Sequence, residues 1–377
     1  MGIHINYNTQ SHLWIRLKVL SSSTLLNLGQ LQQALRSHLQ RRHLLGDGDL
    51  LDLLAHGEAN VIFRLPGDRL VRVAVNTPNQ RFGGDFSRVT EFEWTILRYL
   101  QGSGLGHELL GAQIHPSDDL PYTYLITNYI PGGPMDYSRS HLAQCAATLA
   151  RLHRLPLQPD YQQLESLEPP VQRVSQPLTL FFQEARDYAQ PYLDFTEADP
   201  DIVHMLEAVL AKAETRLAAE PLLAEYPHVC LVHSDHTYEN WVVNDQQASL
   251  VDWEWAEIGS PAGDLGHFLS PVTIRRYHGY QMPAEDKQFF LNAYYDALGD
   301  AALAHKMKVH FAVFGAFPAL RSLCWTAGYW VTARRWYAGS VEESASAAAR
   351  MARLQESQRL FPQMWAEVMA LLEEPLP

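Results

Sequence analysis

Short apolar runs separated by turn residues characterise the first third of the chain. Residues 61–65 and 70–75 are rich in Val, Ile, Phe and Leu, and Pro66-Gly67-Asp68 stands between them. Leu53-Leu54 precedes these runs, and another apolar run follows at residues 122–127. Such runs, bounded by Pro, Gly and Asp, are typical of strands joined by tight turns. The pattern therefore predicts a small sheet in this part of the chain.

Apolar residues at helical spacing flank the predicted strands. The capping residues Ser22, Ser23 and Thr24 precede a leucine series that predicts an amphipathic helix: Leu25, Leu28, Leu31, Leu35 and Leu39. Residues 90–100 predict a second helix, because Phe92, Ile96, Leu97 and Leu100 lie on one face. The polar, glycine-bearing residues 76–90 before it predict a mobile loop.

The remainder of the chain has mostly helical periodicity. Residues 141–153 predict a strong helix. The Pro-punctuated segment 156–228 becomes helical, with a mainly aromatic side formed by Phe181, Phe182, Ala185, Tyr188 and Tyr192. After residue 270 the pattern is helical and aromatic-rich, as expected of core packing: Phe311, Phe314, Phe317, Trp325, Tyr329, Trp330, Trp336 and Tyr337. An aromatic cage for a quaternary ammonium group is the alternative.

One stretch, residues 229–268, interrupts this helical region with strands and polar loops. An apolar run at 229–232 leads into the polar loop 233–240, and residues 241–244 and 248–251 predict a hairpin. Asp252 stands directly after the hairpin. Strands followed by helices indicate an α+β fold.

The polar residues of this stretch have the spacing that phosphoryl transfer from a nucleotide needs. Asp235 can accept or orient the proton of an acceptor hydroxyl, and Asn240 and Asp252 can hold Mg²⁺ against the phosphates. Asp and Asn also cap turns between strands, which would explain each residue taken alone. The combined spacing, with strands on both sides, favours catalysis.

The same residues carry a resemblance to a known family. His233-Ser234-Asp235 with Asn240, Val251-Asp252-Trp253-Glu254, and Gly259-Ser260-Pro261 with Asp264-Leu265 resemble the catalytic motifs of the aminoglycoside phosphotransferase and choline kinase superfamily. The chain departs from those motifs at Ser234, where Gly is usual, and at Thr237-Tyr238-Glu239. The resemblance implies ATP and Mg²⁺ as cofactors, with His233 bracing the loop and Asp264 tying the following helix to it.

The resemblance also implies nucleotide-binding residues in the N-terminal part. Gly57 would lie in the turn over the phosphates, and Arg72 would contact them from the third strand. Glu93 would form an ion pair with Arg72, with Glu91 as the alternative. At the segment between lobes, main-chain groups of Asn128 and Ile130 would bind adenine.

We therefore expect a bilobal protein-kinase-like fold of the α+β class. It would have a small N-terminal antiparallel-sheet lobe for the nucleotide, residues 1–130, and a larger, mainly helical catalytic and substrate-binding lobe, residues 131–377. Leu149-Ala150-Arg151-Leu152-His153 resembles a Leu-Ala-x-Leu-His motif of the family that serves packing. His153 is therefore expected to be structural.

Composition limits the partners and the compartment. The net charge of −13 over 377 residues argues against a nucleic-acid partner and is compatible with a cationic small-molecule acceptor. No apolar run approaches the roughly 20 residues of a membrane span. Cys145, Cys230 and Cys324 stand far apart in apolar surroundings and predict reduced core residues of a cytoplasmic protein. Relatives of this scaffold act on aminoglycosides, choline-like amino alcohols, homoserine and sugars.

Two further interpretations come from other functional classes. His233, Asp235 and His236 invite a metallohydrolase site, although a common metal pattern would require His where the chain has Leu231. A kinase-shaped nucleotide-binding module without transfer activity is the other, based on the unusual residues 237–239 and on Arg72 where protein kinases have Lys.

Overall fold

The computed structural model describes residues 27–56, 59–77, 79–157, 162–276, 278–339 and 345–377. The strands of these ranges are β1 (Asp52–His56), β2 (Asn60–Leu65), β3 (Arg69–Ala74), β4 (Leu109–Gln113), β5 (Thr123–Asn128), β6 (Cys230–Val232), β7 (Trp241–Val243), β8 (Ala248–Leu250) and β9 (Glu257–Gly259). The helices are α1 (Leu28–Arg41), α2 (Phe86–Tyr99), α3 (Arg139–Arg154), α4 (Gln162–Glu165), α5 (Pro177–Leu193), α6 (Pro200–Arg216), α7 (Pro221–Glu225), α8 (Ala262–Phe268), α9 (Pro271–Arg275), α10 (Ala284–Ala297), α11 (Ala301–Phe314), α12 (Phe317–Gly339) and α13 (Ala345–Glu373).

The five N-terminal strands form one antiparallel sheet in the order β1-β2-β3-β5-β4. Helix α1 packs on one face through Leu31, Leu35 and Leu39, and Val71 and Val73 of β3 belong to the same buried cluster. Side chains alternate between the two faces of a strand. Arg72 therefore lies on the opposite face, where α2 packs.

The helical boundaries differ from the sequence prediction at two places. Helix α1 begins after Asn27, whose side chain accepts from the Gln30 N–H, and the predicted caps and Leu25 lie outside the described residues. Helix α2 begins at Phe86, four residues before the prediction, because Asp85 caps it. The predicted loop 76–90 is partly wrong, because residues 80–82 form a short 3-10 helix in which Phe82 is buried and α2 takes up the last five positions. Its mobility stays a prediction.

The C-terminal part is mainly helical, as predicted. Helix α3 packs against α10, and α5 packs against α12. Of the aromatic residues predicted to pack in the core after 270, Phe314, Phe317 and Trp330 are buried, and Phe311 packs against the core while partly exposed. Trp325 is an exception, with 42% of its surface exposed. The side chains of Trp336 and Tyr337 lie outside the described residues.

Two small antiparallel pairs stand among these helices, β6 with β9 and β7 with β8. The β7–β8 hairpin also bonds to the segment after β5: the Gly133 N–H donates to Val243 O at 3.0 Å, and the Val243 N–H donates to Gly133 O at 2.8 Å. Gly132 has φ +150°, and a Cβ there would lie 2.6 Å from Val243 O. The close contact between the segment after β5 and the β7–β8 hairpin therefore requires glycine at position 132.

The predicted state of the cysteines is confirmed: Cys145, Cys230 and Cys324 are free and buried. Within the described ranges, no helix combines the length and apolar character that a membrane span requires.

Candidate active site

The loop between β6 and β7 holds Asp235 and Asn240 together. Asn240 lies in a short 3-10 helix, and its Nδ2 donates to Oδ2 of Asp235 at 2.8 Å and to the Asp235 carbonyl at 3.0 Å. The Asp235 side chain is 26% exposed. Burial raises its pKa, as does Asp252, whereas Arg276 opposes the rise. A partly exposed carboxylate with a raised pKa is suited to accept a proton.

His233 braces this loop from the inside. Its Nε2 lies 2.9 Å from Val251 O, and its Nδ1 accepts from the Asp235 N–H at 3.3 Å. Because Nδ1 accepts, the ring proton is on Nε2, where it donates to the carbonyl. Burial lowers the pKa of His233 to about 4, so the ring is neutral. His233 therefore links the loop to the strand end that carries Asp252.

Asp264, in α8, is fully buried and collects hydrogen bonds from the loop and from α3. Its carboxylate accepts from the His233 N–H at 3.1 Å, the Ser234 N–H at 2.8 Å and His153 Nε2 at 3.0 Å. His236 Nε2 lies 2.9 Å from its Oδ1. Burial by itself would raise the pKa of Asp264, but His236 and these hydrogen bonds hold it well below its usual range. The buried position of His153 in this network matches its expected structural role.

Ser234 stands where the related motifs have Gly, and its backbone explains that preference. Its φ of +66° is in the left-handed region, which costs a residue with a Cβ free energy. Its hydroxyl donates to Oε2 of Glu257 in β9 at 3.2 Å. Burial raises the pKa of Glu257 to about 7, and Arg321 opposes the rise. The serine thus connects the loop to a buried carboxyl that glycine could not reach.

Asp252 follows β8 with φ +69° and contacts the N-terminal sheet. Its Oδ1 accepts from Arg72 Nη2 at 2.5 Å, and Arg72 Nη1 donates to Glu93 Oε1 at 2.7 Å. The Trp253 N–H also donates to that Glu93 oxygen, at 3.1 Å. Burial raises the pKa of Glu93, and the charge of Arg72 opposes the rise. Arg72 pairs with Glu93 and not with the alternative, Glu91, which makes no ion pair among the described residues.

The oxygen atoms of Asn240 and Asp252 are suited to a hard cation. The side-chain amide nitrogen of Asn240 donates to Asp235. The main-chain carbonyl of Asn240 accepts at 3.0 Å from the N–H of Val251, the residue before Asp252. In the part of the chain that is described, Asn240 Oδ1 and Asp252 Oδ2 accept no hydrogen bond. Amide and carboxylate oxygens are ligands that Mg²⁺ prefers, so the donor set fits this ion.

The predicted adenine-binding segment follows β5. Asn128 already uses its main chain: its N–H donates to Glu108 O at 3.1 Å, and its carbonyl accepts from His107 Nδ1 at 2.9 Å. The main-chain groups of Ile130 form no hydrogen bond with any described residue. Ile130 is therefore the freer of the two to bind a base, and both roles stay predictions. Gly57, predicted to cover the phosphates, lies outside the described residues.

The arrangement of His233, Asp235 and His236 does not favour a transition-metal site. Both ring nitrogens of His233 are engaged, and His236 faces Asp264. Among the residues that the structure describes, no group of three His, Cys, Asp or Glu side chains is placed to hold a metal ion.

Two residues close to Asp235 or to Glu257 escaped the sequence analysis. His267 lies with its Nε2 3.9 Å from Asp235 Oδ1, and Arg321 ion-pairs with Glu184 at 3.0 Å close to Glu257. The only sequence signal for His267 is its spacing of three from Asp264, which places both on one side of a helix. Arg321 carries no such signal, because it stands 64 positions from Glu257.

Residues 53–310 match the family model described as the phosphotransferase enzyme family. This span covers more than half of the chain. No curated protein matches the sequence at a significant level.

Solved structures of kinases share the fold. A choline/ethanolamine kinase family protein from Mesorhizobium loti aligns with a TM-score of 0.52 and 19% identity, over 90% of this chain and 99% of that one. Plasmodium vivax ethanolamine kinase aligns with a TM-score of 0.59 and 13% identity, over 90% and 91%. The GDP complex of aminoglycoside 2'-phosphotransferase-IIIa aligns with a TM-score of 0.56 and 14% identity, over 89% and 99%. The predicted α+β, kinase-like fold is confirmed.

Proposed function

Because the chain belongs to the phosphotransferase enzyme family, and is therefore a phosphotransferase that acts on hydroxyl groups, we propose that it transfers the γ-phosphoryl group of ATP to a small molecule. One observation carries the proposal: Asp235, Asn240, Asp252 and Arg72 lie side by side. Asn240 donates to the Asp235 carboxylate, its carbonyl accepts from the Val251 N–H next to Asp252, and Asp252 accepts from Arg72. This set contains the groups that phosphoryl transfer requires. We also propose that residues 1–130 form the nucleotide-binding lobe and residues 131–377 the acceptor-binding lobe.

Asp235 would act on the acceptor. Its carboxylate would orient the hydroxyl and take its proton while the oxygen forms a bond to the γ-phosphorus. The bond from that phosphorus to the oxygen bridging to the β-phosphate would break, and ADP would leave. Little covalent work falls to the protein, so positioning and charge neutralisation supply most of the rate enhancement.

Asn240 and Asp252 would hold Mg²⁺, whose charge would neutralise the phosphates when bound. Arg72 would contact the phosphates and Glu93 would hold Arg72 in place. Main-chain groups of Asn128 and Ile130 would bind the adenine, and Gly57 would lie in the turn over the phosphates. Arg72 reaches Asp252 at 2.5 Å, which supports a nucleotide site between the sheet and the catalytic hairpin.

We propose a cationic acceptor, such as an amino alcohol or an aminoglycoside. Similar folds occur in an ethanolamine kinase and in a gentamicin complex of an aminoglycoside phosphotransferase. The protein has a net charge of −13. The buried Glu257 carboxyl, which accepts from the hydroxyl of Ser234 next to Asp235, would be a partner for an ammonium group.

A thermal-shift titration with MgATP tests the nucleotide site. Ligand that binds only the native state raises the melting temperature once its concentration exceeds the dissociation constant. We expect a Mg²⁺-dependent rise for the wild type that is lost or much reduced in Asp252→Ala. Asp245→Ala, an exposed acid in the turn of the same hairpin, is the matched control and should behave as the wild type. No shift at millimolar MgATP or MgGTP would refute the proposal.

An acceptor panel scored by ADP release then tests transfer. Amino alcohols, aminoglycosides and hydroxy amino acids should be compared with neutral sugars at equal concentration. ADP release that depends on one amine-bearing acceptor and is lost in Asp235→Asn supports the proposal. Nucleotide binding without turnover on any acceptor would favour the binding module.

A further inference from the structure

His267 is a buried histidine beside Asp235 that the proposed reaction does not yet use. It belongs to α8, the helix that also carries Asp264. Its Nδ1 accepts from the main-chain N–H of His236 at 2.9 Å. An imidazole nitrogen that accepts carries no proton, so the single proton of the neutral ring is on Nε2. The main-chain bond thus sets the tautomer.

The surroundings of His267 keep the ring neutral. Burial lowers its pKa well below the usual value, and His236, Arg321 and Arg276 act in the same direction, against Asp264. A neutral imidazole with its proton on Nε2 is a fixed donor. That donor lies 3.9 Å from Oδ1 of Asp235. The distance is too long for a formed hydrogen bond, and catalytic hydrogen bonds often shorten once substrate is bound.

The other oxygen of Asp235 already has a donor. Asn240 Nδ2 contacts Oδ2 at 2.8 Å, so Asn240 and His267 face the two carboxylate oxygens separately. Donors directed at both oxygens fix the plane of the carboxylate.

We propose that His267 is a positioning residue for phosphoryl transfer, whose Nε2–H hydrogen-bonds Oδ1 of Asp235 and holds this carboxylate aligned with the acceptor hydroxyl. The role rests on the proposed function, because it matters only if Asp235 accepts the proton. His267 itself would contact neither the acceptor nor the nucleotide.

Two substitutions separate this role from a structural one. In His267→Asn the shorter side chain keeps an acceptor near Nδ1 for the His236 N–H and places no donor at Asp235. In His267→Gln the amide nitrogen reaches the position of Nε2. We expect His267→Asn to lower kcat by about tenfold or more, since hydrogen bonds to charged groups are strong. The KM values for ATP and acceptor should stay within about twofold, and His267→Gln should recover most of kcat.

A purely structural role would not make kcat lower in His267→Asn than in His267→Gln. If His267→Asn keeps wild-type kcat, or if both variants lose kcat in proportion to their melting temperature, the proposal is overturned. MgATP thermal shifts of both variants should equal that of the wild type, because His267 faces Oδ1 of Asp235 whereas the proposed magnesium ligand Asn240 contacts Oδ2.

A spectroscopic measurement tests the contact independently of turnover. In ¹⁵N-histidine-labelled protein free of nucleotide and metal, the nitrogen shifts of His267 should report the Nε2–H tautomer. With MgADP added, so that the contact can shorten, the Nε2–H signal of His267 should lie further upfield in Asp235→Asn, which removes the charge, than in the wild type, and should be unchanged in Asp245→Asn. An unchanged signal in Asp235→Asn overturns the proposal. Wild-type protein that releases no ADP with any acceptor would refute the proposed function instead, and the two failures are therefore distinguishable.

Discussion

The guanidinium of Arg72 donates to Oδ1 of Asp252 at 2.5 Å, although the two residues stand 180 positions apart in the chain. Strand β3 thereby contacts the end of the β7–β8 hairpin directly. Glu93 holds the other side of the same guanidinium at 2.7 Å and accepts from the Trp253 N–H. Arg72 of β3, Glu93 of α2 and Asp252, the proposed magnesium ligand, are thus joined to one another.

This connection predicts that Glu93→Gln lowers kcat/KM for ATP. Without the Glu93 carboxylate, Arg72 would pair with Asp252 alone and compete with Mg²⁺ for it. We expect kcat/KM for ATP to fall about ten- to a hundredfold, as for loss of a hydrogen bond to a charged group. Initial rates across ATP concentrations measure this. Glu91→Gln, two residues away on the same helix, is the control and should change little. Equal losses in both variants would contradict the assignment.

Asp235→Asn should separate binding from chemistry. The substitution keeps the shape of the side chain and removes its basicity, and general-base catalysis contributes about a hundredfold or more. We therefore expect kcat to fall by at least that factor while the MgATP-induced rise in melting temperature persists. Kinetics and thermal shift on the same preparation decide this. A variant that retains kcat would mean that another group takes the proton.

Glu257 should make stability depend on pH. Its pKa is raised by burial from 4.5 to about 7, so the unfolded chain releases this proton first as pH rises. Between these values the native state binds more protons than the unfolded state, and stability falls as pH increases. Glu257→Gln removes the term and keeps a partner for the Ser234 hydroxyl. Urea unfolding from pH 5 to 7.5 should show a steeper loss for the wild type than for the variant. Parallel profiles would mean that Glu257 titrates normally.

Ser234 allows a comparison of backbone strain with a hydrogen bond. Ser234→Ala keeps the Cβ at φ +66° and loses the hydroxyl that contacts Glu257. Ser234→Gly loses the same hydroxyl but relieves the left-handed strain, which costs about 1 kcal/mol or more. The alanine variant should therefore be the less stable of the two in chemical denaturation. The reverse order would show that the loop adopts a different backbone in solution.

Asp264→Asn should be among the most destabilising changes in the loop region. The buried carboxylate accepts from two main-chain N–H groups and from His153, and an amide would face some of these donors with its own N–H₂. Breaking a buried charged network by changing one partner costs about 3–5 kcal/mol. Tyr294→Phe removes only a hydroxyl that lies 2.8 Å from His153 and should cost about 1 kcal/mol. Urea unfolding of both variants tests this order, and similar values would argue against Asp264 as the centre of the network.

Patterns that are local in the chain determined much of the architecture. Strands β2, β3 and β5, helix α3 and the β7–β8 hairpin follow from short apolar runs, helical spacing and turn residues. The predicted start of α2 was wrong, because its cap, Asp85, lies in a polar segment that was predicted to be a loop. The proximity of Asp235, Asn240 and Asp252 could be predicted from their spacing, because one loop and one hairpin bring them together.

The tertiary structure alone decided which distant side chains meet. Arg72 with Asp252, Ser234 with Glu257, and the orientation of His267 toward Asp235 depend on how α2, α8, α12 and the sheet pack around the hairpin. The occupied main chain of Asn128 depends likewise on His107 and Glu108. Propensity and periodicity act over a few residues, whereas these contacts arise from burial and hydrogen bonding between elements that are far apart in the chain.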